Sequence, residues 1–496
     1  MDTTHQRVES GLKLRRDLIF ILPLMMLSWW LAASFQDPFI TDWDGYDYTV
    51  CVVRGLPSAL GLGRGLFIGY NHLLWNALSL TGELSNEDAH LLLRYGAIVL
   101  SGPATAGIYA LTKELSLNRW AAFFAGLIFA LSPYYIIYSG RPMSEIPGFF
   151  LLNWSLWLLV RSVGRGRVWQ IILAAAMIGV SANIREVALF YIPYTLLATR
   201  TTGWRWIIGL TGVGVSMLTS LLGMGFWTYQ RGYLYLNEVA TWFRLSSNER
   251  NLHPVTLKNF SLFGDYSFDC SVATVFLVPI AIGLLWPRRE LRLLLWLGLL
   301  GLLADVALLA NHDLSVNPRY LLVGMVGLAP ICGWALAELC QYSLWRGMAL
   351  AAALACLTLV SYVQISDQIY WQQRHAMAAA EYLRMIQSFP WNSGFIVGAR
   401  SPLVNYYAGV GARPTWRTIS PGSGWPDERI DEAIDGMLMA GRVVFVDFDP
   451  EIWQHGARGF SREAAGLHRI REEYELQSVT KDLYRILGKR LPTGSE

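Results

Sequence analysis

A chain of 496 residues with 53% hydrophobic and only 16% charged side chains is not an ordinary soluble protein, because soluble domains carry about 25% charged residues. Its net charge of +3 decides little by itself; what matters is where the basic residues fall. Five cysteines exclude a disulfide framework, since Cys332, Cys340 and Cys356 lie in apolar runs, leaving Cys51 and Cys270 as the only pair that one bridge would suit.

The basic start, Lys13, Arg15 and Arg16, precedes an uninterrupted apolar run over 18–35, long enough to cross a bilayer. No small-residue cleavage site follows, so the run is expected to be a retained span leading from cytoplasm to outside. Just beyond it, residues 41–48 (TDWDGYDY) place Asp42, Asp44 and Asp47 among three aromatics. Carboxylates at a span's mouth stay ionised yet meet amphiphiles, which suits chemistry on a lipid-linked substrate. The plainer reading is a polar turn at Gly45 that caps the span.

Apolar runs follow at about 90–112, 118–138, 144–161, 168–182, 187–199, 204–227, 271–287, 291–310, 319–340 and 346–363, giving about eleven spans. The piece 66–80 contains Asn71, His72 and Asn76. With that piece on the membrane rather than through it, Lys113, Arg119, Arg161, Arg165, Arg167, Arg200, Arg205, Arg288, Arg289, Arg292 and Arg346 all fall on the cytoplasmic side, whereas the opposite short loops carry only Arg141, Arg185 and Arg319. Segment 37–89 is therefore expected outside, with amphipathic pieces, and so is the C-terminus. The runs 168–182 and 187–199 are too short to span singly, so they are expected as two helices meeting at Asn183, Arg185 and Glu186.

Residues 228–270 form a long external loop with Arg231, Tyr233, Tyr235, Trp242, Arg244 and Arg250; a loop of that length is usually a lid or a binding element. From about 364 the composition turns soluble. A helical pattern near 372–388, FIVGA at 395–399, a short helix, a helix from Asp427 to Ala440, RVVFVDF at 442–448, a helix over 461–473 and a final extended stretch predict a small α/β domain. The division expected is 1–363 for the membrane part and 364–496 for the soluble part, with residues from about 375 onward separable from the Asp44 segment and acting, like the 228–270 loop, on an acceptor.

Four motifs occur in a particular order: Asp44, Tyr48 and Gly55 in DGYDYTVCVVRG; Arg94 in HLLLRYGAIVLSG; Arg141, Glu145 and Pro147 in SGRPMSEIP; and Arg319 with Tyr320 in PRYLLVGMVGLAP. Over roughly residues 15–340 the chain thereby resembles the GT-C superfamily of membrane glycosyltransferases, and within it the protein O-mannosyltransferase and aminoarabinose transferase group. It departs from that pattern where many relatives have a His-Pro-Pro run and this chain has GLFIGYNH.

The resemblance implies a polytopic α-helical membrane protein that moves a sugar, with inversion, from a polyprenyl phosphate to a lipid, glycan or protein acceptor at the outer face. Membrane lipids are the other expected partners; nucleic acid is not. Such a reaction needs a base for the acceptor hydroxyl and cations for the departing phosphate. Asp44 has the family's spacing to Tyr48 and fits the base, with Asp42 and Asp47 as alternatives. Arg319, Arg141 and Arg185, with Tyr320 beside the first, fit the phosphate. Glu145, Tyr48, Asp305, His312 and Arg94 complete the candidate substrate site.

Arg141 has the simpler reading of an interfacial arginine that snorkels, and Asp305 that of a structural partner for an arginine such as Arg94. His72 and His312 lack metal-ligand spacing, so no obligatory metal is expected, although the DWD string leaves a catalytic divalent cation open. A transporter or a non-catalytic scaffold would also suit the span count. No internal repeat supports the first, and the clustering of Asp44, Glu145, Arg185, Arg319 and Asp305 argues against the second.

Overall fold

The apolar runs form helices whose breaks are written in the sequence. The computed structural model describes residues 3–40, 43–56, 64–82, 85–165, 167–199, 203–229, 257–311, 318–396, 400–411, 415–419, 426–448 and 461–490. In chain order the helices are α1 (Thr3–Ser34), α2 (Trp43–Arg54), α3 (Gly65–Ser79), α4 (Ala89–Ser116), α5 (Arg119–Ala130), α6 (Pro133–Ser139), α7 (Glu145–Arg165), α8 (Val168–Ile184), α9 (Ile192–Thr199) and α10 (Arg205–Tyr229). After these come α11 (Leu257–Cys270), α12 (Val272–Leu285), α13 (Arg292–Asn311), α14 (Leu322–Tyr342), α15 (Leu344–Gln387), α16 (Ser401–Gly409), α17 (Asp427–Met439) and α18 (Ser461–Glu473).

Local chemistry sets the boundaries. The Asn118 side chain accepts from the backbone N–H groups of Trp120 and Ala121 and so starts α5. Ser132 caps α6, with Pro133 in its first turn, and α5 and α6 meet at a 65° bend. Among the described residues seven helices are long and apolar enough to cross a membrane, and nine if the bent pairs α5 with α6 and α11 with α12 each count as one. The expected eleven include 168–182 and 187–199, which form the shorter apolar helix α8 and a 3-10 turn leading into α9. Segment 66–80 is α3, which buries Phe67, Ile68, Asn71, His72 and Trp75 and exposes Leu73, Leu74 and Leu78, as an amphipathic helix does.

Contacts divide the chain into two compact units. One comprises Met1–Asp37, Gly55–Leu78 and Leu91–Gln373; the other comprises Pro38–Arg54, Ser79–His90 and Arg374–Glu496. The boundary expected at 363–364 falls inside α15, which is a single helix of 44 residues. The short segment holding α2 belongs with the C-terminal residues rather than with its neighbours in sequence.

In the first unit α14 is the most enclosed span. Small residues let its neighbours come close: a Cβ on Gly301 of α13 would lie 2.6 Å from the carbonyl oxygen of Gly324 on α14, and Gly327 has no room for one against Leu297. Only glycine permits backbones to touch in this way.

The second unit is built on a five-stranded sheet of order β2-β1-β3-β5-β4. Its strands are β1 (Gly394–Ile396), β2 (Arg417–Ile419), β3 (Val444–Asp447), β4 (Tyr474–Ser478) and β5 (Leu483–Lys489). β1 runs parallel to β2 and β3, whereas β5 is antiparallel to β3 and β4. The expected α/β domain is present, with two additions: β2 was not foreseen, and the final extended stretch is a hairpin. Alternation along β1 and β3 sends Ile396, Val444 and Val446 to one face, against Ile430 and Ile434 of α17 and Leu467 and Ile470 of α18. Phe395 and Phe445 go to the other face, where they pack with Leu383 and Ile386 of α15, Val404 and Tyr407 of α16, and Ile40 and Tyr46 from the α2 segment.

Candidate functional site

The first unit encloses a cluster of charges that the sequence scatters over almost 300 positions. Glu145 opens α7, and its Oε1 lies 2.9 Å from Arg185 Nη2 and 3.3 Å from Arg319 Nε. Arg185 sits between α8 and the 3-10 turn Glu186–Tyr191, in extended backbone, so the two short helices meet where expected and aim a guanidinium inward. Arg185 also approaches Glu186 at 4.0 Å, and Glu186 is ion-paired with Arg64. Arg141 Nε lies 3.1 Å from Asp37 Oδ2.

Two tyrosines tie these pairs together. Arg141 and Arg319 both stand over the Tyr138 ring, at 4.8 and 5.9 Å, while Arg185 and Arg319 stand over Tyr320, at 5.1 and 5.8 Å. Arg64, Asp37, Arg141, Glu145, Arg185 and Arg319 are each 5% exposed or less. Four guanidiniums and three carboxylates make up the cluster among the described residues, one positive charge in excess. Buried charges persist when paired in this way, and planar guanidiniums present donors in the fork that phosphate oxygens fit.

Arg141 is thus no snorkelling cap, being buried and paired. Arg94 donates to the Asp37 carbonyl at 2.6 Å, which fixes the chain just after α1 beside the cluster. Asp305 stands apart. Its carboxylate lies against Gly324 between α13 and α14, where residue 324 has no space for a side chain, and among the described residues it makes no ion pair with an arginine. The sequence reading missed Arg64, Asp37 and Tyr138; a charged residue immediately after a span or before an amphipathic helix was the available signal.

Asp44 and Asp47 lie in the second unit. Trp43–Arg54 is a helix, not a turn, with Asp44 in its first turn, where a carboxylate is stabilised by the helix dipole. Spacing of three and four residues puts Asp44, Asp47, Tyr48 and Cys51 on one face. Tyr48 Oη comes within 3.5 Å of Asp44 Oδ2, and Cys51 Sγ lies 3.8 Å from Asp47 Oδ1. Asp44 and Asp47 are partly exposed, whereas Tyr48 is fully buried.

At the far end of α2, Arg54 Nε donates to the Gly409 carbonyl at 2.7 Å, and Val50 fills the space a side chain at 409 would need. Tyr46 donates to the Ile40 carbonyl at 2.8 Å. Burial, reinforced by Asp47, pushes the Cys51 thiol well above its ordinary range. Asp42 and His312 lie outside the described residues, as do Tyr233, Tyr235 and Trp242.

None of the five cysteines is bridged, Cys51 and Cys270 included. His72 packs against the Trp227 ring and lies 3.0 Å from Asn76 Nδ2. Among the described residues no three His, Cys, Asp or Glu side chains assemble as metal ligands. In the charge cluster each carboxylate faces a guanidinium, which is not the open oxygen set a hard cation takes.

Comparisons with known proteins agree with this architecture. The family described as dolichyl-phosphate-mannose-protein mannosyltransferase matches residues 70–229. ArnT from Cupriavidus metallidurans, solved with undecaprenyl phosphate bound, superposes with a TM-score of 0.60 at 11% identity, covering 95% of this chain and 97% of ArnT. The Archaeoglobus fulgidus oligosaccharyltransferase in its apo form gives 0.56 at 12% identity, covering 96% and 75%. That enzyme has also been solved with zinc and sulfate, at a TM-score of 0.55, 12% identity and coverage of 94% and 73%. No curated protein matches the sequence significantly. The chain has the GT-C fold and is an integral membrane protein.

Proposed function

We propose that the protein is an inverting glycosyltransferase that takes a hexose or pentose from a polyprenyl phosphate and passes it to a lipid, glycan or protein acceptor. The buried arginine cluster carries this reading. Arg319, Arg185 and Arg141, fixed by Glu145 and Asp37 and steadied on Tyr138 and Tyr320, form a preorganised cation set for the phosphate that leaves. ArnT, which shares the fold, holds undecaprenyl phosphate. Asp44 is the base that accepts the acceptor's hydroxyl proton, with Tyr48 positioning its carboxylate.

The test separates the two roles. Arg319→Ala is expected to weaken donor-lipid binding by roughly tenfold or more, since a charge-assisted contact contributes about 1.5–3 kcal/mol. Asp44→Asn is expected to keep donor binding and lose transfer by roughly a hundredfold or more. Unchanged donor affinity in Arg319→Ala would move the phosphate elsewhere, and substantial transfer by Asp44→Asn would shift the base to Asp42 or Asp47.

The basic-residue asymmetry supports an orientation with the reaction and the C-terminal residues on the extracytoplasmic side of the inner membrane. A cysteine introduced into the 161–167 loop should then resist an impermeant thiol reagent in intact cells; labelling there would reverse the orientation.

A further inference from the structure

The second unit contains an open cavity of about 350 Å³ lined by Glu381, Tyr382 and Met385 of α15, Arg400, and Thr480 and Asp482 of the β4–β5 turn. Ligand pockets run from roughly 300 to 1,000 Å³, so this one suits a small molecule. Its place in the sheet is informative. From β1 the chain leaves through α16 to β2 on one side, and from β3 it leaves through α18 to β4 and β5 on the other. Where connections diverge from adjacent parallel strands, a crevice opens at their C-terminal ends, and open α/β sheets bind ligands there. The cavity occupies that position. Arg400 follows β1, and Leu483, which also lines the cavity, pairs with Asp447, the last residue of β3.

The lining is built rather than incidental. Fully buried Asp447 takes Arg400 Nη1 at 3.2 and 3.3 Å through its two oxygens, and the guanidinium stands 4.8 Å over the Tyr382 ring. Among the described lining residues, Arg400 is matched by Asp447, and Glu381 and Asp482 add two carboxylates, which disfavours phosphate and other anions. What remains is carboxylate acceptors, the outer edge of the Arg400 guanidinium and the Thr480 hydroxyl, beside the rim of the largely buried Tyr382 ring. A sugar ring offers the complement, with hydroxyls that donate and accept around its edge.

We infer that this cavity binds an uncharged sugar unit, and that it holds the glycan part of the acceptor. The second clause rests on the proposed glycosyl transfer; the first does not. The experiment uses the full chain in detergent, with free mannose, glucose and N-acetylglucosamine as probes and saturation-transfer NMR as the readout. Binding by at least one sugar is expected, undisturbed by inorganic phosphate. Glu381→Gln, at an exposed helical position, and Asp482→Asn should together weaken it by roughly tenfold, the equivalent of about 1.4 kcal/mol.

Asp44→Asn should bind the same sugar as tightly as the wild type does, so a failed transfer assay and a failed sugar site give different results. Absence of binding by all three sugars, displacement by phosphate, or affinity unchanged in Glu381→Gln and in Asp482→Asn would each overturn the proposal. Should the double variant melt early, either single variant with a wild-type melting curve decides it.

Discussion

The charge cluster of the membrane unit and the acidic face of α2 in the other unit handle charge in opposite ways. In the membrane unit, guanidiniums and carboxylates are buried together and neutralise one another almost completely, so each charge is held by a partner far away in sequence. In the other unit the carboxylates of α2 stay partly exposed on one face of a short helix, positioned by neighbours three or four residues along. The first arrangement is rigid and suits gripping an anion; the second leaves a carboxylate wet enough to take a proton. Asp44 was singled out by its spacing to Tyr48 within the resemblance to the GT-C group, and the helix over Trp43–Arg54 turns that spacing into an i to i+4 relation on one face. The Arg64–Glu186 and Arg141–Asp37 pairs could not stand out, since no local pattern brings together residues more than a hundred positions apart.

The same distinction explains what was legible in the fold. Long apolar runs and the helix of 427–439 are local signals and appeared where the sequence puts them. β2, only three residues long at Arg417–Ile419, carries too short an alternation to be recognised without its partner β1. The attachment of α2 to the C-terminal unit was invisible for a different reason: Tyr46 and Ile40 look like membrane-edge residues until Tyr406 and the core around it are seen to receive them.

That attachment gives the largest expected effect. The C-terminal residues were expected to be separable from the Asp44 segment, yet Tyr46 packs with Tyr406 at 5.4 Å between rings and Arg54 is anchored on Gly409. Deleting residues from 375 onward would strip α2 of these contacts, and burial of each large side chain contributes about 1.5–3 kcal/mol. A helix of twelve residues does not persist alone in water. Amide exchange over 43–54 should become fast and transfer should vanish, while the arginine cluster keeps its affinity for donor lipid. Slow exchange in the truncated protein would show that α2 is held from elsewhere and would dissolve the contrast drawn between the units.

A smaller effect is expected inside the cluster. Glu145→Gln keeps the size of the side chain and removes the charge that Arg185 and Arg319 share. Leaving buried cations without that carboxylate typically costs about 3–5 kcal/mol. The variant should therefore melt at a distinctly lower temperature in detergent, and added donor lipid should restore part of the loss by supplying an anion. Wild-type stability without lipid would mean that Glu145 is not what holds the two arginines, and that the membrane unit is less tightly paired than its geometry indicates.

The smallest effect lies on α2 and concerns pH. Cys51 is buried next to Asp47, and both burial and that carboxylate raise its thiol above the ordinary range. The folded protein then keeps a proton that the unfolded chain gives up above about pH 8.5. Stability contributed by the protonated thiol is complete below that pH and declines as the pH rises through it, because the folded state binds more protons than the unfolded one. Cys51→Ala should flatten this alkaline decline, at some loss of packing. Asp47→Asn should bring the thiol down and speed its alkylation by iodoacetamide at pH 9, whereas native Cys51 should react slowly there and quickly once unfolded. Equal rates in the native and unfolded protein would place Cys51 in water, and the face that carries Asp44 would then be more open than its buried Tyr48 implies.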